Sequence, residues 1–326
     1  MRAAPAWTNS VNQLLCVILV ASFSLGCAAD EGLSWRRSVE LIALTDQARV
    51  LDLRAAEGNT GVERHQAVIR LDRWLTDGAP IEYARRSRSA QTLRENGQIG
   101  VEDDLLVRGS EGISVALRSG ELNARLLARS VEPRAERSDG DWRGAWSTVT
   151  LDGWVEAGAR GGRLHGPALL IEREGSPPRG SRRVLFLRSA NVELGLDQQG
   201  EQITAWLRRD DDPIGVLDDL EVNLDPWGQG TIRAPSAGLH VELRLGPVRG
   251  SSALHDHLSA PEQVLADAWT GRAARRAAMV EARFTAGEGQ GVITHATGVF
   301  VEIGDPTADP PRRRPWSGGA DREEAP

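Results

Sequence analysis

From Leu33 to Gly304, apolar and polar residues alternate in short runs. A chain patterned at period two is held to extended backbone with one face buried. In GISVALRSGELNARLLAR (residues 112–129) the alternation continues on both sides of a Ser-Gly pair, as in two half-buried antiparallel strands joined by a turn. QAVIRLDRW (66–74), WSTVTLDGWVEAGA (146–159), GRLHGPALLIERE (162–174), EQITAWLRR (201–209), LHVELRLG (239–246) and GVITHATGVFVEIG (291–304) read the same way. The chain has 35 glycines with which to build the intervening turns. This pattern predicts an all-β barrel or sandwich rather than alternating strands and helices. RAARRAAMVEARF (272–284) has a helix-favouring Ala and Arg content but precedes a Gly-rich turn and a final strand, and is read as a strand. One short helix is predicted after Ser259, where Ala260, Pro261 and Glu262 complete a capping-box spacing.

Two stretches interrupt the strand rhythm. EGSPPRGSRR (174–183), with paired prolines, glycines and serines, places a linker at 175–183 between a first domain, 33–174, and a second, 184–304. The whole chain, 326 residues with 40% hydrophobic, is long enough for two such cores. Residues 305–326 hold too little apolar material to fold and are expected to be a disordered, solvated tail.

The first 26 residues read as an export signal: Arg2 gives a positive start, and LLCVILVA (14–21) is an uninterrupted apolar core. Ser24, Leu25 and Gly26 then precede Cys27 in the manner of a bacterial lipobox. Cys16 would leave with the signal, so Cys27 would be the one cysteine of the mature chain, with no partner for an internal disulfide. Lipid attachment at Cys27 gives that cysteine a reason to exist and anchors the exported protein to a membrane. The alternative is ordinary cleavage leaving a free thiol. All 39 basic residues are arginines, against 46 acids and a net charge of -7, which leaves no basic field to hold nucleic acid.

WSTVTLDGWVEAGARGGRLHGPALLIERE is similar to a segment of the AttH-type and carotenoid 1,2-hydratase (hydroxyneurosporene synthase) superfamily. Trp146-Ser147 opens it, Gly153 turns it, Leu164-His165-Gly166 makes the following step, and Leu169 to Glu174 form the last strand. VLFLRSANVELGLDQQG with AWLRRDDD, then DAWTGRA and THATGVFVEIGD, resemble its later parts. Leu170 and Glu172 stand where that superfamily has Trp and Asp. The resemblance implies two lipocalin-like antiparallel β-barrels in tandem, with an apolar ligand site in or between them. It does not by itself imply the hydratase reaction.

Hydrating an isolated alkene takes a strong proton donor in a dry site, so a carboxylic acid on an apolar face is the expected tool. Strand alternation places Leu170, Glu172 and Glu174 on one face and Leu169, Ile171 and Arg173 on the other. Glu172 and Glu174 are therefore candidate catalytic acids, or else face water while Leu169 and Ile171 point inward. Trp146, Trp154, His165, Trp206 and Trp269 are candidate ligand-binding residues; the same indoles, with Trp142 and Trp227, could equally fill the cores. His255-Asp256-His257 lacks a third metal ligand, His295 can be a satisfied barrel histidine, and DDDPIGVLDD (210–219) lacks calcium-loop spacing, so no metal is expected. No cofactor fingerprint, phosphate loop or nucleophile elbow occurs. Three functions fit these features: an exported, lipid-anchored carrier of an apolar small molecule or lipid; an acid catalyst hydrating or cyclising an isoprenoid or polyene; and a structural envelope protein.

Overall fold

The computed structural model describes residues 34–45, 49–59, 65–75, 81–87, 98–101, 103–109, 112–118, 122–140, 142–175, 181–210, 214–253, 274–286, 292–304 and 316. Among them, strands account for nearly all of the chain, and a three-residue 3-10 turn (Pro235–Ala237) is the helical element. The first sheet contains β1 (Ser34–Thr45), β2 (Arg49–Asn59), β3 (His65–Trp74), β4 (Ile81–Ser87), β5 (Gln98–Val101), β6 (Asp104–Gly109), β7 (Gly112–Arg118), β8 (Leu122–Asp139), β9 (Trp142–Ala157) and β10 (Arg160–Glu174). The second contains β11 (Arg182–Arg188), β12 (Val192–Gln199), β13 (Gln202–Arg209), β14 (Gly215–Val216), β15 (Glu221–Leu224), β16 (Gly230–Ala234), β17 (Leu239–Ala253), β18 (Ala274–Ala286) and β19 (Val292–Gly304).

Both sheets are antiparallel meanders in which the first strand also pairs with the last, β1 with β10 and β11 with β19. Each therefore curls into a half-barrel. In the first, the edge strand β5 returns against β2, β3 and β4. The two strands read on either side of Ser119-Gly120 pair as an antiparallel hairpin, with Arg118 opposite Asn123. The Ala- and Arg-rich segment is strand β18, as its position before the last strand predicts. Strand β11 begins at Arg182, two residues before the apolar run, because its guanidinium is neutralised by buried carboxylates described below.

Alternation leaves one face buried and one wet in outer strands such as β7, whereas strands at the junction of the sheets, such as β11, are buried on both faces. The concave face of the first is packed with Leu41, Leu53, Ile69, Leu106, Leu126 and Leu151, among others. That of the second holds Leu185, Leu194, Val241, Phe284 and Phe300. The convex faces meet each other: Ile42, Val50, Trp74, Trp142, Trp146, Leu169 and Ile171 of the first pack with Val184, Phe186, Trp206, Val248, Ala277, Val299 and Val301 of the second. Contact is close enough that a Cβ on Gly250 of β17 would lie 1.7 Å from Cδ1 of Trp74, so only glycine fits there.

The helix expected after Ser259, the signal segment with Cys27, Trp269 and the His255–His257 pair lie outside the described residues, as does residue 305–326 except Trp316. Trp316, which falls in the segment read as a tail, is 8% exposed and seated on the second sheet. Arginine side chains on that face give its indole a partner that apolar content alone would not reveal.

Candidate functional site

The junction of the convex faces is stitched by charge as well as by apolar packing. Arg275 reaches both Asp52 and Glu40; Arg182 reaches both Glu40 and Asp197; Arg173 completes the series on Asp197 at 2.5 Å. Six buried side chains thus alternate between carboxyl and guanidinium, and every link but Arg182–Asp197 crosses from one sheet to the other. Trp146 Nε1 donates to Asp197 Oδ2 at 2.8 Å, and Arg134 with Thr148 of the first sheet holds Glu193 of the second at 2.6 and 2.7 Å. Burial alone would raise Asp197, but Arg173, Arg182 and the indole N–H hold it well below the usual carboxylate range. Burial, with the Asp72 carboxylate nearby, pushes Asp52 up to about 8, and burial pulls Arg275 down to about 9.

At one end the two faces diverge and leave a cleft of about 400 Å³. Its walls are Leu44, Thr45 and Pro167 from the first sheet, and Phe186, Arg188, Ser189, Met279, Thr297 and Gly298 from the second. The lining mixes apolar side chains with one guanidinium and three hydroxyl-bearing residues, a composition that can orient a partly apolar molecule by a polar end. The opening direction follows from the strands: β1 ends at Thr45, β11 ends at Arg188, and β10 and β19 run antiparallel to them.

The sequence-derived candidates separate on this frame. Trp146 and Trp206 come together in the junction, fully buried, and serve as packing. His165 and Trp154 lie on the convex face of the first sheet beyond the packed region. His165 is two residues along β10 from Pro167 and on the same face, about 7 Å away. It therefore stands one strand step outside the residues that line the cleft, where its Nδ1 meets Asp152 Oδ1 at 2.7 Å. Trp154 stands diagonally next to it, opposite Arg163.

Glu172 and Glu174 lie on the other side of β10, the concave side shared with Leu170. Glu172 is mostly buried at the rim and takes a 2.6 Å ion pair from Arg108 of β6; Glu174 is exposed. Burial raises the Glu172 pKa against the Arg108 charge, and Glu174 adds to the rise. His295 lies on the convex face of the second sheet beside Trp316. In the acidic loop, Asp219 accepts from the Ser236 backbone and hydroxyl, each at 2.6 Å, which is a turn-stabilising role. No group of three metal-ligating side chains occurs among the described residues.

Asp152, Phe186, Arg188 and Met279 were missed by the sequence reading. Asp152 was findable: a hairpin that turns at Gly158 pairs residue 152 with residue 165, and directly opposed residues share a face. The other three become neighbours of the first sheet only through its docking on the second, for which a single strand pattern holds no signal.

No family model matches the sequence. No curated protein matches it either. Solved structures do. The chain is similar to a putative AttH from Nitrosomonas europaea at 11% identity, over 83% of this chain and 92% of that one, with a TM-score of 0.50. It is also similar to kievitone hydratase from Nectria haematococca, at 10% identity over 85% and 90% of the two chains with a TM-score of 0.53. CghA solved with Sch210972 matches at 11% identity over 84% and 89%, with a TM-score of 0.54. The chain has an AttH-like fold.

Proposed function

We propose that this protein takes an apolar small molecule of isoprenoid or polyene type into the junction cleft and acts on it by proton transfer, as in hydration or cyclisation. The observation that carries the reading is the cleft itself, which sets Leu44, Pro167, Phe186 and Met279 beside Arg188, Thr45, Ser189 and Thr297. Its volume, about 400 Å³, falls in the range of small-molecule sites. The likeness to a hydratase and to a protein solved with a small molecule supports an enzyme over a passive carrier or a structural protein.

The groups at the cleft select among reactions. An imidazolium is too weak an acid to protonate an isolated alkene, but it suits addition to a double bond conjugated with a carbonyl. Arg188 is placed to stabilise the oxygen on which charge then develops, and Asp152 fixes the tautomer and orientation of His165. A conjugated ketone such as β-ionone is therefore the probe of choice. Quenching of tryptophan fluorescence by β-ionone should saturate with one site per chain. Met279→Trp, which fills the cleft from β18, should weaken binding at least about tenfold, and Arg188→Met should weaken β-ionone more than the corresponding hydrocarbon. Equal binding by wild type and Met279→Trp would remove the cleft as the site.

Glu172 supports a second reading. A carboxyl whose pKa is raised by burial on an apolar concave face keeps its proton closer to neutral pH, as a general acid acting on an alkene must. Glu172→Gln with Glu174→Gln should abolish turnover of such a substrate and leave β-ionone binding unchanged, because β10 separates both carboxylates from the cleft.

The reading also places the protein at a membrane, through lipid on Cys27, where apolar substrates concentrate. Cells expressing the full chain should incorporate labelled palmitate into it and hold it in the membrane fraction. Cys27→Ser should lose the label and release the protein; a label that persists would rule out this attachment point.

A further inference from the structure

Trp316 sits on the convex face of the second sheet in a seat built from three strands. The Arg244 guanidinium lies 4.3 Å from its ring centroid, Arg283 lies 6.0 Å away, and the His295 ring meets it edge-on at 6.1 Å. Glu281 fixes Arg244 from β18 at 2.8 Å, and Glu242 of β17 stands opposite Arg283 in the strand register. Arg283 Nε is buried and has no hydrogen-bond partner among the described residues.

This seat adjoins the cleft. Thr297, a cleft residue, is opposite Glu281, and the next pair outward on the same face is Arg283 with His295. Strand geometry puts successive pairs on one face about 7 Å apart. A molecule in the cleft with a ring at its outer end would meet the position that the Trp316 indole occupies.

We propose that the seat of Trp316 is an aryl-binding subsite at the lip of the cleft and that the chain's own indole is its resident occupant, displaced when an aromatic ring binds. The ligand class follows from the charges. Two guanidiniums over a π face favour a planar aromatic ring. Glu281 and Glu242 offset those two cations, so the seat selects a neutral ring over an anionic one. The subsite uses the cleft for its location and does not require the cleft's own ligand or chemistry to be as proposed above.

The probe is 3-methylindole, which reproduces the missing side chain, titrated into the full chain and followed by calorimetry. Trp316→Ala should bind one equivalent at least about tenfold more tightly than wild type, and adding Arg244→Met to Trp316→Ala should return affinity to the wild-type level. In the otherwise native chain, Arg244→Met alone should raise acrylamide quenching of tryptophan fluorescence as Trp316 leaves its seat. Trp316→Ala binding no more tightly than wild type, or binding indifferent to Arg244, would overturn the proposal. The β-ionone result with Met279→Trp is independent, so either site can fail without the other.

Discussion

Replacing Asp197 by alanine is expected to lower the stability of the folded chain by about 3–5 kcal/mol, measured by denaturant unfolding. Asp197 accepts from Arg173 of the first sheet, from both ends of the Arg182 fork, and from the Trp146 indole. All of these groups are buried, so the variant leaves the Arg173 guanidinium without its counter-charge, Arg182 with Glu40 alone, and the Trp146 N–H without an acceptor. Exposed ion pairs, such as Arg163 with Asp152 at 3.8 Å, contribute about 0–1 kcal/mol because water competes for both partners. The pH dependence has a definite sign. A carboxyl held below its unfolded value of 3.8 contributes fully above that value and loses its contribution as pH falls through the folded one. Wild type should therefore weaken below about pH 4 more steeply than Asp197→Ala, which has nothing at that site to lose. Asp52, raised to about 8, acts oppositely: it binds its proton more tightly when folded, so its contribution declines as pH rises from about 4 towards 8. The difference between the two proteins in acid isolates Asp197.

Trp206→Ala is expected to cost about 3–5 kcal/mol as well, through a cavity rather than through charge. The indole is fully buried in the junction, and its ring lies so close over β12 that a Cβ on Gly195 would come within 1.9 Å of Cζ2. Glycine opposite tryptophan is a size match, and truncating the large partner empties a space that the small one cannot fill. Trp154, half-buried on the convex face near the lip, offers the contrast: its truncation should leave the unfolding midpoint nearly unchanged. A small stability loss at Trp206 with a large loss of β-ionone binding would return this residue to the ligand wall.

The strands were legible because their cause is local. Residues 112–129 and 162–174 carry their alternation within a few positions, and the turn between 118 and 123 fixes register without help from the rest of the chain. The same alternation correctly grouped Leu169 and Ile171 with Arg173, but did not reveal what that face would meet. Arg173 finds Asp197 24 positions away, and Arg182 finds Glu40 across 142, contacts that exist only once two complete sheets dock. Buried arginines on a convex face look in sequence like solvated ones, and no spacing distinguishes them. The carboxylates at 172 and 174 illustrate the converse: their shared face was readable, while the curl that half-buries one and exposes the other depends on β6 coming round to present Arg108. Trp316 had no readable signal at all, since its seat is made by residues of three strands, each at least 21 positions away in sequence.

These features describe two curled sheets joined back to back, with the gap at one end of their seam serving as the place where an apolar molecule enters. Photolabelling with a β-ionone analogue bearing a diazirine, followed by peptide mapping, addresses that location directly. Label should fall on peptides containing Leu44, Phe186, Met279 and Thr297, and unlabelled β-ionone should suppress it. Label confined to the concave core of the first sheet, on peptides containing Leu106, Leu126 or Glu172, would contradict the account.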